Sequence, residues 1–228
     1  MDTTIAFSST LDAEQLEGYL TRLIANHIPD GRPVRTSLQP VVAEALDRAE
    51  HCFAQVHRKY YNVGGRVLFD HLNGDQFATF LYFVANSTWA MTGDDELATK
   101  LFSLNKIMHG LDLYFSVSMP ETFLLVHPVG SVIGNASYGD YLVVYQNCTI
   151  GSDAGKYPRF GEGTILYARS SVLGDCSIGD DVVFAANSFV VNSDVVSNSI
   201  VVGQYPQHRV LASSQSVRER LFDEPLLG

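Results

Sequence analysis

Residues Phe160–Gly203 read FGEGTILYARSSVLGDCSIGDDVVFAANSFVVNSDVVSNSIVVG and place an apolar side chain at every sixth position. The residues at this spacing are Phe160, Leu166, Val172, Ile178, Phe184, Val190, Val196 and Val202. On an α-helix, positions i and i+6 lie ~240° apart, so one helix face cannot produce the pattern. A single long strand would place apolar residues at every second position instead. The spacing therefore predicts a coil of short strands, each contributing one inward side chain before a turn.

Turn-forming residues stand between these apolar positions, as such a coil requires. They include Gly174, Asp175, Gly179, Asn187 and Asn192. The same spacing occurs upstream at Tyr138, Val144 and Ile150, before a loop reading GSDAGKYPR breaks the phase. The repeated apolar residues are mostly β-branched or aromatic, as strands favour.

Before Gly110 the apolar spacing is helical, with four amphipathic segments near residues 16–24, 42–56, 77–91 and 97–108. A Pro29-Asp30-Gly31 turn ends the first segment, and the second begins near Ser37. The third segment is apolar almost all round, which predicts burial on several sides and a contact with another subunit. We therefore expect an α+β chain with an α-helical domain at 1–110, a coil of strands at 111–205 and a C-terminal tail at 206–228.

Composition limits the possible functions of the 228-residue chain. It is 46% hydrophobic and 18% charged, as soluble globular proteins are. Its formal net charge of -10 argues against a nucleic-acid partner. Three cysteines without a CxxC pair predict neither a disulfide framework nor a cysteine zinc site. With no signal-peptide pattern and no apolar run of roughly 20 residues, we expect a cytoplasmic protein without a membrane partner.

Several motifs resemble the hexapeptide-repeat acyltransferases, and among them the serine acetyltransferases. That family reads GIDIHP and then LDHATGIVIG, where this chain has GLDLYF at 110–115 and LLVHPVGSVIG at 124–134. The family's QSVTLGG is matched by QNCTIGS at 146–152, and its GVPARIVG loosely by GQYPQHRVL from Gly203. The resemblance implies an N-terminal helical domain followed by a left-handed parallel β-helix. It also implies acetyl-CoA as co-substrate, no metal, and a homotrimer or dimer of trimers.

The resemblance also implies roles for individual residues. His127 stands at the position of the family's general base, and Asp112 at that of the carboxylate that orients the base. Because their separation in the sequence is slightly less than one turn of such a coil, we expect them on neighbouring rungs within hydrogen-bond reach. The oriented imidazole would take the proton of an acceptor hydroxyl, which attacks the thioester directly. Ala168 and Ala186 would contact CoA, and Arg209 would bind one of its phosphates.

The chain also departs from the family around the acceptor. Val126 replaces the aspartate that precedes the base, which removes one polar contact to an amino-acid substrate. In the loop, GKYPRF replaces DRHPKI, so Lys156 and Tyr157 take the positions that face the acceptor's carboxylate, with Arg159 close by. A partner for an ammonium group would have to come from the helical domain, where Asp70 and Asp75 are candidates.

Three functions therefore remain open: an O-acetyltransferase acting on serine or a similar amino acid, the same chemistry on a sugar or another hydroxylated or aminated metabolite, and a non-catalytic scaffold. A zinc enzyme of the γ-carbonic anhydrase type needs three converging histidines. The coil contains only His127, with His208 beyond its end, so we expect no metal site.

Overall fold

A computed structural model of the chain describes residues 7–32, 34, 38–56, 61–63 and 66–222. Its four long helices are α1 (Ala13–His27), α2 (Gln39–Ala54), α3 (Gly74–Thr92) and α4 (Asp95–His109). They confirm the four amphipathic segments, although Ser37 lies outside the described residues. Asp12 caps α1 and Asp94 caps α4 through side-chain hydrogen bonds to backbone N–H groups. Gly110, in the left-handed conformation at φ +63°, ends α4 where the helical period stops in the sequence.

Helix α3 is buried on several sides, as its apolar sequence predicts. It packs against α2 and α4 and against the strand at Phe123–Val126. Its aromatic residues Phe77, Phe80, Tyr82 and Phe83 are almost fully buried, while Trp89 and Met91 near its end stay exposed. Contacts within one protomer thus account for most of its apolar surface, and a contact of this helix with another subunit stays a prediction.

A small three-stranded sheet lies beside the helices and was not predicted. It consists of β1 (Phe7–Ser9), β2 (Asn62–Val63) and β3 (Arg66–Phe69), in the order β1-β3-β2. With two to four residues each, these strands are too short to show a period-2 pattern.

Three parallel sheets form the faces of a prism after Gly110, which confirms the predicted coil. The first face contains β5 (Phe123–Val126), β7 (Leu142–Tyr145), β10 (Thr164–Leu166), β13 (Val182–Phe184) and β15 (Ser199–Val202). The second contains β4 (Asp112–Leu113), β6 (Val132–Ile133), β8 (Thr149–Gly151), β11 (Ser171–Leu173) and β14 (Phe189–Val191). The third contains β9 (Arg159–Phe160) and β12 (Ser177–Ile178).

The register of these sheets explains the apolar spacing. Leu166 pairs with Phe184 and Val172 with Val190, so one full coil spans three repeats of the spacing, one for each face. The spacing fails at Val196, whose side chain is 72% exposed, while the preceding Val195 is buried. Val182 pairs with Ser199 and not with Ile200, because the last coil is shorter by a single residue. The prediction of Val196 and Val202 as inward residues is therefore wrong, since Val201 is buried in place of Val202.

The residues after 205 fold back onto the prism. Strand β16 (Arg209–Ala212) pairs antiparallel with β15, and a short helix α5 (Val217–Leu221) follows. The backbone N–H of Val217 donates to Asp181 Oδ1 at 2.7 Å, and the buried Phe222 packs on the ring of Tyr141. Residues 206–222 are thus an ordered return segment. Within the described part of the chain, no helix is long and apolar enough to cross a bilayer.

Candidate active site

One corner of the prism, where the first face turns into the second, carries Ala168 and Ala186, with His127 and Asp112 beside it, whereas Lys156, Tyr157 and Arg159 lie where the second face turns into the third. Hydrogen bonds from Asn147 N to Val129 O, from Arg169 N to Gln146 O and from Asn187 N to Ala168 O place equivalent residues above one another in successive coils. The column that results is Val129, Gln146, Ala168 and Ala186. Since neighbouring strands lie about 4.8 Å apart, these corner positions form a straight track along the prism.

His127 occupies an outward bulge at the start of this track. Val126 pairs with Tyr145, yet the chain from Val126 to the corner Gly130 is longer than the chain from Tyr145 to the corresponding Asn147. The extra length pushes the chain outward, and His127 adopts a left-handed conformation at φ +49°. Its side chain is 77% exposed. Left-handed residues also occur at the regular corners, for example Asn147, Arg169 and Asn187, so the extra length of chain is what distinguishes His127 and exposes its imidazole beside the corner.

Asp112 does not meet His127, contrary to the expectation from their spacing. Strand β4 pairs Asp112 with Val132, which lies beyond His127 in the chain, because of the extra length at the corner. The Asp112 carboxylate instead accepts a hydrogen bond from Lys106 Nζ of α4 at 2.5 Å. The two predicted catalytic residues are therefore near the same corner but are not a hydrogen-bonded pair.

The carboxylate that approaches His127 belongs to Asp75, in the first turn of α3. Its Oδ2 lies 3.5 Å from His127 Nδ1, within ion-pair distance if the imidazole is charged. The sequence suggested Asp75 only as a partner for an acceptor's ammonium group. No spacing rule links it to His127, since the two residues come from different parts of the fold.

A second histidine, His109 at the end of α4, lies close to Asp75. Burial lowers the pKa of His109, although its hydrogen bond to Asn105 and the charge of Asp75 act in the opposite direction. His109 is therefore neutral near pH 7. The His109 Nδ1 lies 2.8 Å from Asn105 Oδ1, so this nitrogen is hydrogen-bonded within α4.

The loop cations Lys156 and Arg159 are paired with an aspartate from the next coil. Lys156 Nζ donates to Asp175 Oδ2 at 3.0 Å, and both terminal nitrogens of Arg159 donate to Asp175 Oδ1 at 3.1 Å. These two cations, Lys156 before Arg159, hold the pKa of Asp175 below its usual value. Tyr157 between them is exposed. Lys156 and Arg159 precede Asp175 by close to one coil of the prism, which places them on neighbouring rungs. The repeat length could therefore have predicted this pairing from the sequence.

The far end of the track carries the predicted CoA residues. Ala168 is half-buried and Ala186 is exposed, so small side chains line the corner in two successive coils. Below them, the buried carboxamide oxygen of Gln146 has no hydrogen-bond donor among the described residues. Arg209 pairs with Val202 at the end of the prism, where it is exposed and has no ion-pair partner within the described chain. Tyr145 and Tyr167, whose ring centroids lie 4.9 Å apart, flank the track and were not predicted.

The groups that ligate metals do not converge at this corner. Across the residues that the structure describes, no three His, Cys, Asp or Glu side chains are placed to hold one ion. His208, the other histidine beyond the coil, packs its ring against Tyr205 at the opposite end of the prism.

The curated proteins that resemble the chain in sequence include serine acetyltransferases. Serine acetyltransferase 2 of Arabidopsis thaliana is 35% identical over 138 residues, which cover 58% of this chain and 42% of the relative. The chain spans about half the length of the curated relatives it matches. No protein-family model matches it.

Solved structures extend the likeness to the whole fold. The crystal structure of serine acetyltransferase from Vibrio cholerae matches 90% of this chain and 82% of its own at a TM-score of 0.67 and 21% identity. A serine acetyltransferase solved in complex with CoA matches 86% of this chain and 85% of its own, with a TM-score of 0.63 and 21% identity. The chain thus has an N-terminal helical part followed by a left-handed parallel β-helix, and it resembles the serine acetyltransferases in sequence and fold.

Proposed function

We propose that the protein is an O-acetyltransferase that moves the acetyl group of acetyl-CoA to the hydroxyl of a small acceptor. The observation that carries the proposal is the corner itself, where an exposed histidine next to a carboxylate stands at one end of a track lined by small side chains. The likeness to serine acetyltransferases, one of them solved with CoA, supports the same chemistry.

His127 acts as the general base in this proposal. With its Nδ1 3.5 Å from a carboxylate oxygen, the imidazole uses its Nε2 to accept the proton of the acceptor hydroxyl. The hydroxyl oxygen then forms a bond to the thioester carbonyl carbon, and the C–S bond breaks. The proton on His127 returns to the departing sulfur, which leaves CoA as a thiol. No covalent intermediate with the protein is needed, because a thiol is already a good leaving group.

The track fits an extended co-substrate. From the level of Val129 to that of Gly203 and Arg209 there are four coil steps, or about 19 Å. If the co-substrate has an extended arm with amide N–H groups, one of them can donate a hydrogen bond to the buried Gln146 oxygen, which has no donor among the described residues. The small side chains of Ala168 and Ala186 leave room for the arm, and the free guanidinium of Arg209 suits a phosphate.

A survey of acceptors tests the proposal. Release of free CoA thiol from acetyl-CoA would be followed with a panel of amino acids, amino alcohols, sugars and other hydroxyl or amine compounds. We expect at least one hydroxyl compound to accelerate thiol release in proportion to enzyme concentration. If no compound did so, and acetyl-CoA did not bind in calorimetry, the non-catalytic scaffold would be the better explanation.

The active site also points to a trimer or a dimer of trimers. His127 stands on a convex corner, so a single protomer cannot enclose a substrate around it. Exposed apolar side chains surround the corner, with Val129 60% exposed and Val132 42% exposed. A second copy of the prism would cover these side chains and close a groove over His127.

Light scattering at the assay concentration checks this assembly. We expect a mass of three or six chains, and we expect Val132→Asp to shift it toward the monomer with loss of thiol release. A stable wild-type monomer that releases CoA at full rate would contradict the shared groove.

A further inference from the structure

We propose that Asp75, and not Asp112, is the positioning residue that orients the His127 imidazole for proton transfer. The inference rests on the proposed role of His127 as general base. It departs from the assignment that the resemblance implies, and three features of the structure support it.

The first feature is the position of Asp112. Its register partner is Val132, and its Oδ2 accepts a hydrogen bond from Lys106 Nζ at 2.5 Å. Within the described chain, no hydrogen bond or ion pair joins this carboxylate to His127. Lys106 therefore acts as the partner that neutralises Asp112 in the same region.

The second feature is the closeness of the Asp75 carboxylate to His127. Its Oδ2 lies 3.5 Å from His127 Nδ1, and its side chain has no other ion-pair or hydrogen-bond partner among the described residues. Contacts between catalytic groups are often long before substrates bind and shorten in the complex. A carboxylate on Nδ1 keeps the proton on that nitrogen and leaves Nε2 as the base, which is the arrangement that general-base catalysis needs.

The third feature is the electrostatic environment of Asp75. It lies in the first turn of the long helix α3, where the helix dipole favours a negative charge, and Asn73 caps the same turn. The other titratable groups around it do not compete for its charge. Burial lowers the pKa of His109, so that ring is neutral near pH 7. Burial, assisted by the charge of Asp75, raises the pKa of Tyr61 well above its usual value, so the phenol keeps its proton.

The tautomer of His127 provides a direct test that requires no acceptor. In protein labelled with ¹⁵N in the histidine rings, the His127 signals are assigned by their loss in His127→Gln. At a pH where the imidazole is neutral, we expect the wild-type proton on Nδ1. In Asp75→Ala we expect it to move largely to Nε2, and in Asp75→Glu, which retains a carboxylate, we expect Nδ1 protonation to return.

Two further variants separate the alternatives. Asp95→Ala removes the matching first-turn carboxylate of α4, away from the corner, and should leave the tautomer unchanged. Asp112→Ala should also leave it unchanged if Asp75 orients the ring. A tautomer that shifts in Asp112→Ala, or that fails to shift in a folded Asp75→Ala protein, would overturn the proposal.

Kinetics supply a second measurement once an acceptor is known. We expect Asp75→Ala to lower kcat about 10- to 100-fold, within the range of general-base contributions, with little change in KM for acetyl-CoA. A tautomer that depends on Asp75 in a protein without transferase activity would refute the proposed function and leave the positioning role intact. If the enzyme were active but the His127 tautomer did not change in Asp75→Ala, the positioning role would be refuted and the proposed function would stand.

Discussion

Replacing His127 with alanine is expected to lower kcat for acetyl transfer by about 10² to 10⁴-fold, the range that general-base catalysis contributes. In the proposed mechanism the imidazole accepts the proton of the acceptor hydroxyl, and a methyl group cannot replace it. Because the side chain is 77% exposed, its removal leaves no cavity, and the unfolding free energy should stay within about 0.5 kcal/mol of the wild type.

Steady-state kinetics and urea unfolding of the same preparation check both parts of this expectation. His27→Ala is a suitable control, because His27 is another exposed histidine at the end of α1 and far from the corner in the chain. Acetyl-CoA should bind the His127→Ala protein with nearly wild-type affinity. Wild-type rates in this variant would remove His127 from the chemistry and favour a scaffold.

Free L-serine is expected to be a poor acceptor compared with the same molecule without its carboxylate. An acceptor whose hydroxyl reaches His127 brings its carboxylate within several ångströms of Asp75. Like charges at about 4 to 6 Å repel by about 1 kcal/mol in water and by about 3–4 kcal/mol at the dielectric of a protein surface, which corresponds to a loss of affinity between roughly 5-fold and 10³-fold. The loop cations that would offset this repulsion are already paired with Asp175.

L-serine and L-serinamide form a matched pair for this test, since both have the hydroxyl and the ammonium group and only L-serine has the carboxylate. We expect kcat/KM to be about tenfold or more higher for L-serinamide. The replacement of the family's aspartate by Val126 removes one partner for the ammonium group of the acceptor. Asp75 lies at the corner and can pair with the ammonium instead, so we expect the carboxylate to be the main obstacle. Turnover of L-serine near roughly 10 s⁻¹ with a millimolar or lower KM would contradict the expectation.

Asp175→Asn tests the role of the loop in the same experiment. The substitution keeps the size of the side chain and releases Lys156 and Arg159 from its charge. If the paired cations limit carboxylate binding, KM for L-serine should fall in this variant while that for L-serinamide stays constant.

The repeat of the prism could be predicted because each six-residue repeat places one apolar side chain in the interior. Phe160, Leu166 and Val172 keep the regular spacing since the backbone turns once in every repeat. The predicted spacing fails at Val196 because the last coil is one residue shorter than the others. Residue propensities do not indicate such a deletion, and it shifts the position of every later side chain by one. Strands β1 to β3 were missed because sheets so short depend on tertiary contacts.

The positions of the candidate residues followed from the sequence, their contacts did not, and their roles stay predictions. The motif around His127 and the small residues Ala168 and Ala186 could be identified from their local sequence. The partner of His127 could not, because the bulge at the corner displaces the histidine from its expected rung. Asp75 comes from a helix much earlier in the chain, and only the packing of α3 brings it to the corner.

Transfer of a labelled acetyl group tests the central claim most directly. With acetyl-CoA labelled with ¹³C in both acetyl carbons, the products of the best acceptor would be analysed by mass spectrometry and NMR for the wild type and for His127→Ala. We expect the label as an ester on the acceptor hydroxyl with the wild-type protein and almost none with the variant. Label that stays on CoA with every acceptor, or that is transferred equally by the variant, would contradict a His127-dependent O-acetyltransferase.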